Sequence, residues 1–221
     1  MKTGILFDLD GTLLDTLEDL ADAVNYTMDH HGYPRRTLEE VRRFVGNGAM
    51  RLIALSVPEG ADGEEAFQTF KPYYDAHCQV KTRPYPGIRE ALAELAGEYP
   101  LAIVSNKPDS AVKSLCADYF PGIYALGELP PCPRKPAPDM VYKAMEAIGV
   151  DRCIYVGDSE VDVLTAKNAG VPCLSVLWGF RDRRDMEEAG GRHFCGETDG
   201  LAKILREMIA DLPRSGERDG K

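Results

Sequence analysis

Short apolar runs alternating with helix-like segments constrain this chain more than any other feature. Gly4–Leu9 (GILFDL), Leu101–Val104 (LAIV), Cys153–Val156 (CIYV) and Cys173–Leu177 (CLSVL) read as strands buried on both faces, with Ile123–Leu126 a weaker candidate. Between them, helical patterns lie at about 87–98, 108–119, 138–149 and 159–169. Pro138 suits a first helical turn, where it has no N–H to lose. Gly149 and Gly170 suit helix C-termini, where a left-handed residue closes the last turn. Alternation of this kind predicts an α/β fold with a parallel sheet covered by helices on both faces.

One stretch breaks the rhythm. From Leu17 to Arg83 no strand is convincing, and helical patterns run at about 17–31, 37–45, 48–56 and 63–78. Leu17, Leu20, Ala21, Val24 and Met28 make an apolar stripe at helical spacing, which packs a small core. The reading is therefore a helical unit over 17–83 inserted into a catalytic α/β core of residues 1–16 and 84–212. Residues 213–221 (PRSGERDGK) read as a polar, frayed tail.

Charge and cysteines remove several classes of function. Lys plus Arg number 26 against 36 Asp plus Glu, a net charge of −10. A nucleic-acid binder has to neutralise phosphates with a basic face, so that partner is excluded. No apolar run of 18 residues occurs, so no membrane span is expected. Asp8 interrupts the apolar stretch that an export signal needs, and the expected compartment is the cytoplasm. Cysteines 78, 116, 132, 153, 173 and 195 include no CxxC pair and read as reduced thiols, with neither a zinc site nor a disulfide framework.

Four motifs carry chemistry, each at the C-terminal end of a predicted strand, where open α/β sheets bind ligands. The string Asp8-Leu9-Asp10-Gly11-Thr12-Leu13-Leu14-Asp15-Thr16 follows the first strand. Two acids one residue apart repel each other unless a cation or proton is shared, and Mg²⁺ with oxygen ligands meets that demand. Gly11 permits a sharp turn, and Thr12 adds a hydroxyl on the same side. Ser105-Asn106 ends the LAIV strand and suits phosphoryl oxygens, although Ser-Asn is also ordinary turn chemistry. Lys135, in Arg134-Lys135-Pro136-Ala137-Pro138, is kept in a loop by prolines, either to balance a carboxylate and phosphate site or as a solvated charge. In Gly157-Asp158-Ser159-Glu160-Val161-Asp162, Asp158 either completes a metal's oxygen shell or caps the helix, and Asp162, one turn on, suits orienting Ser159 or Lys135.

Taken in this order, DxDGT, Ser-Asn, Lys-Pro-x-Pro and Gly-Asp-Ser-x-x-Asp resemble the haloacid dehalogenase superfamily of phosphohydrolases over residues 4–180. The resemblance implies a Rossmann-like sheet of order 5-4-1-2-3 with the first strand central, and an α-helical cap in place of the insert. It makes Asp8 the nucleophile that forms an aspartyl-phosphate and Asp10 the general acid and base. Mg²⁺ would be held by Asp8, the Asp10 main-chain carbonyl and Asp158, with Asp162 behind them. Thr12, Ser105, Asn106 and Lys135 would bind substrate. Superfamily members that cleave C–Cl or C–P bonds lack an aspartate at position 10, so Asp10 favours O–P chemistry. The β-phosphoglucomutase branch uses a histidine near position 20, where this chain has Leu20. His30 and His31 point ~100° apart on one helix and receive no role.

Among members, the chain is most similar to the phosphoglycolate phosphatase-like group, which often carries a Gly-Asn-Gly turn such as Gly46-Asn47-Gly48. Asn47 and Arg51 are therefore the cap's expected substrate-binding residues. The expected activity is a Mg²⁺-dependent phosphatase acting on a small phosphorylated metabolite, as a monomer or homodimer. Alternatives are an inorganic pyrophosphatase, a broad sugar-phosphate or nucleotide phosphatase, a β-phosphoglucomutase-like enzyme, and a non-catalytic phosphate-binding relative. A signalling receiver is about half this length, and a nucleotide-binding dehydrogenase needs GxGxxG where this chain has DLDGTL.

Overall fold

The computed structural model describes residues 1–213. The tail read over 213–221 lies outside the described residues except for Pro213, whose carbonyl accepts a hydrogen bond from Arg152. Six strands form a parallel sheet: β1 (Thr3–Phe7), β4 (Leu101–Pro108), β5 (Tyr124–Glu128), β6 (Arg152–Gly157), β7 (Cys173–Val176) and β8 (His193–Cys195). They lie in the order β5-β4-β1-β6-β7-β8. Counted along the chain within this sheet alone, the order reads 6-5-4-1-2-3, so an edge strand, β8, lies beyond the five expected. Its three residues carry too little apolar pattern to stand out in the sequence. A second, two-stranded antiparallel sheet, β2 (Leu14–Asp15) with β3 (Arg83–Pro84), was not expected either.

Alternation within the strands builds the core. On β1, Ile5 and Phe7 face one side with Ile103, Ile154, Val156 and Leu174, against α5 (Ile88–Ala96), α6 (Asp109–Tyr119) and α10 (Leu201–Ala210). Leu6 faces the other side with Val104 and Tyr155, against α7 (Asp139–Ile148) and α8 (Glu160–Ala169). Each fully buried Ile, Leu or Phe contributes about 1.5–3 kcal/mol to the drive for burial. Both faces are covered, so these strands are apolar on consecutive residues rather than alternating with polar ones.

The insert is all helical: α1 (Leu17–His31), α2 (Leu38–Phe44), α3 (Ala49–Ser56) and α4 (Gly63–His77). Its apolar residues form a cluster of their own, including Leu20, Val24, Met28, Leu52, Ile53 and Phe70, into which Phe180 inserts from the core. Thr37 and Glu40 form a reciprocal capping box at the start of α2, and Asp62 caps α4 through the Glu64 and Glu65 N–H groups. His31 lies at 3.0 Å from the Thr69 hydroxyl and stacks on Tyr33, a packing role within this unit. At the crossings between insert and core, the buried Asp19 carboxylate accepts hydrogen bonds from the Lys81 and Thr82 N–H groups at 2.8–3.0 Å. The remaining helix, α9 (Arg183–Glu188), precedes β8. Among the described residues, no helix is long and apolar enough to cross a membrane, and all six cysteines are unpaired.

Candidate active site

Four chain segments converge at the C-terminal ends of β1, β4 and β6. The first is the turn after β1. Gly11 takes a φ of +83° there, open to glycine, and a Cβ at that position would collide with the Asp158 carboxylate. The turn is fastened from outside by Trp178, whose indole N–H donates to the Thr12 carbonyl at 3.0 Å. Asp8 is thereby aimed into the site with its N–H on the Val156 carbonyl.

Lys135 is the centre of charge. It is 3% exposed, and its ammonium reaches Asp8 at 2.8 Å and Asp162 at 2.7 Å. Burial opposes its charge, but Asp162 and Asp8 outweigh that and raise its pKa. Asp162 also accepts from the Ser159 N–H at 3.1 Å and hydroxyl at 2.6 Å. It therefore orients both residues expected of it. Ser159, not Asp158, is the N-cap of α8. Asp158 is instead free of the helix, taking a bond from the Thr12 hydroxyl at 3.2 Å and one from the Phe180 N–H at 2.7 Å.

Carboxylate oxygens of Asp8, Asp158 and Asp162 lie within 4.8 Å of one another. Burial and then the Asp162 charge push Asp158 up to about 7 and hold Asp8 well above the usual carboxylate range. Lys135 alone does not balance three buried acids, and a hard divalent cation with oxygen ligands fits this donor set. Asp162 is fully buried and does not line the cavity, whereas Asp8 and Asp158 do, so these two are the carboxylates placed to face such an ion. The Asp10 carboxylate is not part of the cluster: it turns away to Lys107, with Oδ1 2.8 Å from the ammonium.

Other expected positions need correction. β4 runs on to Pro108, past a register shift after Val104, so Ser105 and Asn106 lie within the strand rather than after it. Ser105 lines the cavity. The Asn106 side chain is engaged with protein, accepting from the Lys135 N–H at 2.8 Å and donating to the Lys135 and Gly46 carbonyls. Thr12 is buried, does not line the cavity and donates its hydroxyl to Asp158. Asn47 and Arg51 do not line the cavity either, and Arg51 is exposed. The Gly46–Gly48 turn contributes its glycines there, together with Val45, Ala49 and Leu52.

Two contributors, Lys107 and Tyr74, were not foreseen, and Arg181 has a contact role beyond its place after the last strong strand. Lys107 follows directly on Ser105-Asn106 at a strand end, which was the available signal. Tyr74 comes from α4, where it looks like any core aromatic. Arg181 donates from its guanidinium to the Arg42, Arg43 and Val45 carbonyls, capping α2 from the core, and holds Glu160 at 3.0 Å. The cavity is lined by Asp8, Asp158, Ser105 and Lys135 on the side of the core and by the apolar Leu20, Leu52, Phe67 and Phe70 of the insert.

An aspartate pair, a buried lysine and a third aspartate at the tips of adjacent parallel strands define a phosphoryl-transfer class. The model of the haloacid dehalogenase-like hydrolases matches residues 5–176. The chain belongs to that family, and it is a phosphoric monoester hydrolase. Among its relatives, the phosphoglycolate phosphatase of Pseudomonas putida is 35% identical, covering 97% of this chain and 86% of that protein. The phosphoglycolate phosphatase of Cereibacter sphaeroides is 33% identical, covering 94% and 99%. Of solved structures, a candidate phosphoglycolate phosphatase of Lactobacillus delbrueckii subsp. bulgaricus superposes with a TM-score of 0.87 at 35% identity, covering 93% and 99%. CbbY of Rhodobacter sphaeroides, solved with phosphate, superposes with a TM-score of 0.72 at 25% identity, covering 92% and 96%.

Proposed function

We propose that this chain is a Mg²⁺-dependent phosphatase that hydrolyses 2-phosphoglycolate through an aspartyl-phosphate on Asp8. The observation that carries the reading is the Asp8–Lys135 pair at the tip of the central strand, in a chain whose relatives bear the name phosphoglycolate phosphatase. Asp8, Asp158 and the Asp10 main-chain carbonyl would hold Mg²⁺, which supplies positive charge against the phosphoryl oxygens.

In the first step an Asp8 oxygen attacks phosphorus and the bond to the leaving oxygen breaks, while Asp10 gives that oxygen its proton. The product alcohol departs and Asp10 is left as a carboxylate. Asp10 then takes a proton from water, whose oxygen attacks the phosphorus of the aspartyl-phosphate. Phosphate leaves and Asp8 is restored. Lys135 and Ser105 hold the phosphoryl oxygens in both steps, and Asp162 keeps the Lys135 ammonium aimed at Asp8. Asn106 ties the Lys135 loop to β4, and so sets position rather than binding phosphate. Most of the acceleration then comes from positioning and charge, as phosphoryl transfer requires.

The helical unit over 17–83 acts in this reading as a cap that closes over the leaving group and excludes water. Its wall bears on substrate choice. Leu20, Leu52, Phe67 and Phe70 offer nothing to pair with the hydroxyls of a sugar, and an unpaired buried hydroxyl is costly. That favours a short leaving group over a sugar phosphate or a nucleotide.

Phosphate release with Mg²⁺ tests the proposal against 2-phosphoglycolate, pyrophosphate, a hexose phosphate, a nucleotide and an aryl phosphate. The highest kcat/KM is expected for 2-phosphoglycolate, with turnover reduced by about 10⁴-fold or more in Asp8→Asn. Absence of turnover on every compound, by folded protein, would overturn it.

A further inference from the structure

Most cations around the cavity are committed elsewhere. Lys135 is shared between Asp8 and Asp162. Arg181 is spent on carbonyls of the cap and on Glu160. Lys71, half exposed, sits 2.6 Å from Asp75. Lys107 differs from all three. It is 7% exposed and lines the cavity, and one of its N–H groups is engaged, by Asp10 at 2.8 Å. Burial opposes its charge, but Asp10 and Tyr74 outweigh that and keep the ammonium protonated.

Tyr74, carried by α4, lies beneath that ammonium, which stands 4.9 Å from the centre of its ring. The residue is 4% exposed and lines the same cavity, yet its hydroxyl has no hydrogen-bond partner among the described residues. Burial raises the phenol's pKa, so the hydroxyl stays a neutral donor. A buried donor without a partner is rare because it costs free energy. Here the residue that carries it lines a cavity, next to a cation with N–H groups to spare.

We propose that Lys107 of the core and Tyr74 of the cap together receive a carboxylate on the leaving group, and so determine specificity for phosphorylated hydroxy acids. The proposal rests on the phosphatase reading and adds the partner for the second charge of the substrate. Asp10 marks the leaving oxygen, and in a two-carbon hydroxy acid the carboxylate is attached directly to the carbon bearing that oxygen. The ammonium paired with Asp10 is therefore next in line, and charge-assisted bonds to a carboxylate are the strong ones. The two residues belong to different units of the molecule, so the receptor is complete only with the cap closed, and the correct substrate favours closure.

The test compares 2-phosphoglycolate with ethyl phosphate, which has the same carbon chain and no carboxylate, in wild type, Tyr74→Phe and Lys107→Gln. The ratio of the two kcat/KM values is expected to fall about tenfold or more in each variant, through KM for 2-phosphoglycolate. Competitive inhibition by glycolate should weaken in Tyr74→Phe while inhibition by inorganic phosphate holds, which also shows that the variant is folded with its phosphate site intact. A ratio unchanged in both variants, or a wild type without preference for the carboxylate, overturns this receptor and leaves the phosphatase reading standing. Equal loss on both substrates in Lys107→Gln would mean that Lys107 acts only on Asp10, which also overturns it. Hydrolysis of neither compound by wild type removes both readings.

Discussion

Lys135 and Asp162 illustrate how much of the site's order depends on single buried charges. Asp162 is fully buried and holds the Lys135 ammonium with one oxygen and Ser159 with the other. Asp162→Ala would leave a buried ammonium with half its compensation and the Ser159 N–H without its acceptor. A loss of about 3–5 kcal/mol in stability is expected, read by denaturant unfolding. The acids around it predict a pH effect whose sign follows from proton counting. Asp158 is at about 7 in the folded chain against 3.8 as its ordinary value, and Asp8 is raised as well. Between those values the folded state binds more protons than the unfolded one, so the metal-free protein loses stability as pH rises from about 4 through 7. A divalent cation favours the ionised carboxylates, so the gain in Tm on adding Mg²⁺ should be larger at pH 8 than at pH 5. Equal gains at both would count against Asp8 and Asp158 as ligands. Of these residues, Asp8, Lys135, Asp158 and Asp162 were legible because each sits in a short motif at a strand end. The placement of Asn47 and Arg51 was not legible, because a turn's sequence does not say which way its side chains point. The turn's glycines line the cavity, Asn47 between them does not, and Arg51 is an exposed residue of α3.

At the scale of elements, the junction of α2 with the loop after β7 has its own consequence. Helix α2 ends without glycine, and its last carbonyls are satisfied by Arg181 from the core. A cation at a helix C-terminus is favourable, by up to about 2 kcal/mol when partly buried. Arg181→Ala is expected to destabilise the helical unit by about that amount and to speed amide exchange in α2 and α3 ahead of the sheet, measured by hydrogen exchange. Unchanged exchange in α2 would show that the latch contributes nothing. Strong periodicity made β1, β4, β6, β7 and the helices α5, α6, α7 and α8 readable to within a few residues, whereas α10 was not read although it spans ten residues. The short elements β2, β3, β8 and α9 escaped because two to six residues carry too little pattern, and their pairing partners lie far along the chain.

For the whole molecule, the question is how the helical unit moves on the core. Both crossings pass Asp19, whose carboxylate takes the Lys81 and Thr82 N–H groups, beside the short β2–β3 pair. With the helical unit acting as the cap proposed above, Asp19→Ala should loosen both crossings at once and change kcat and KM together. Steady-state kinetics on 2-phosphoglycolate would check it, and unchanged values would remove Asp19 from the hinge. The sequence by itself determined the α/β class, the helical insert and the four acid and lysine positions. These depend on local pattern: apolar runs, helical spacing and polar residues stationed where strands end. Only the tertiary structure decided that Lys107 pairs with Asp10, that Tyr74 reaches the same cavity from α4, and that Arg181 closes α2. Those contacts join residues between 33 and 139 positions apart, and their partners are chosen by burial and charge neutralisation once the units pack, which no local pattern encodes.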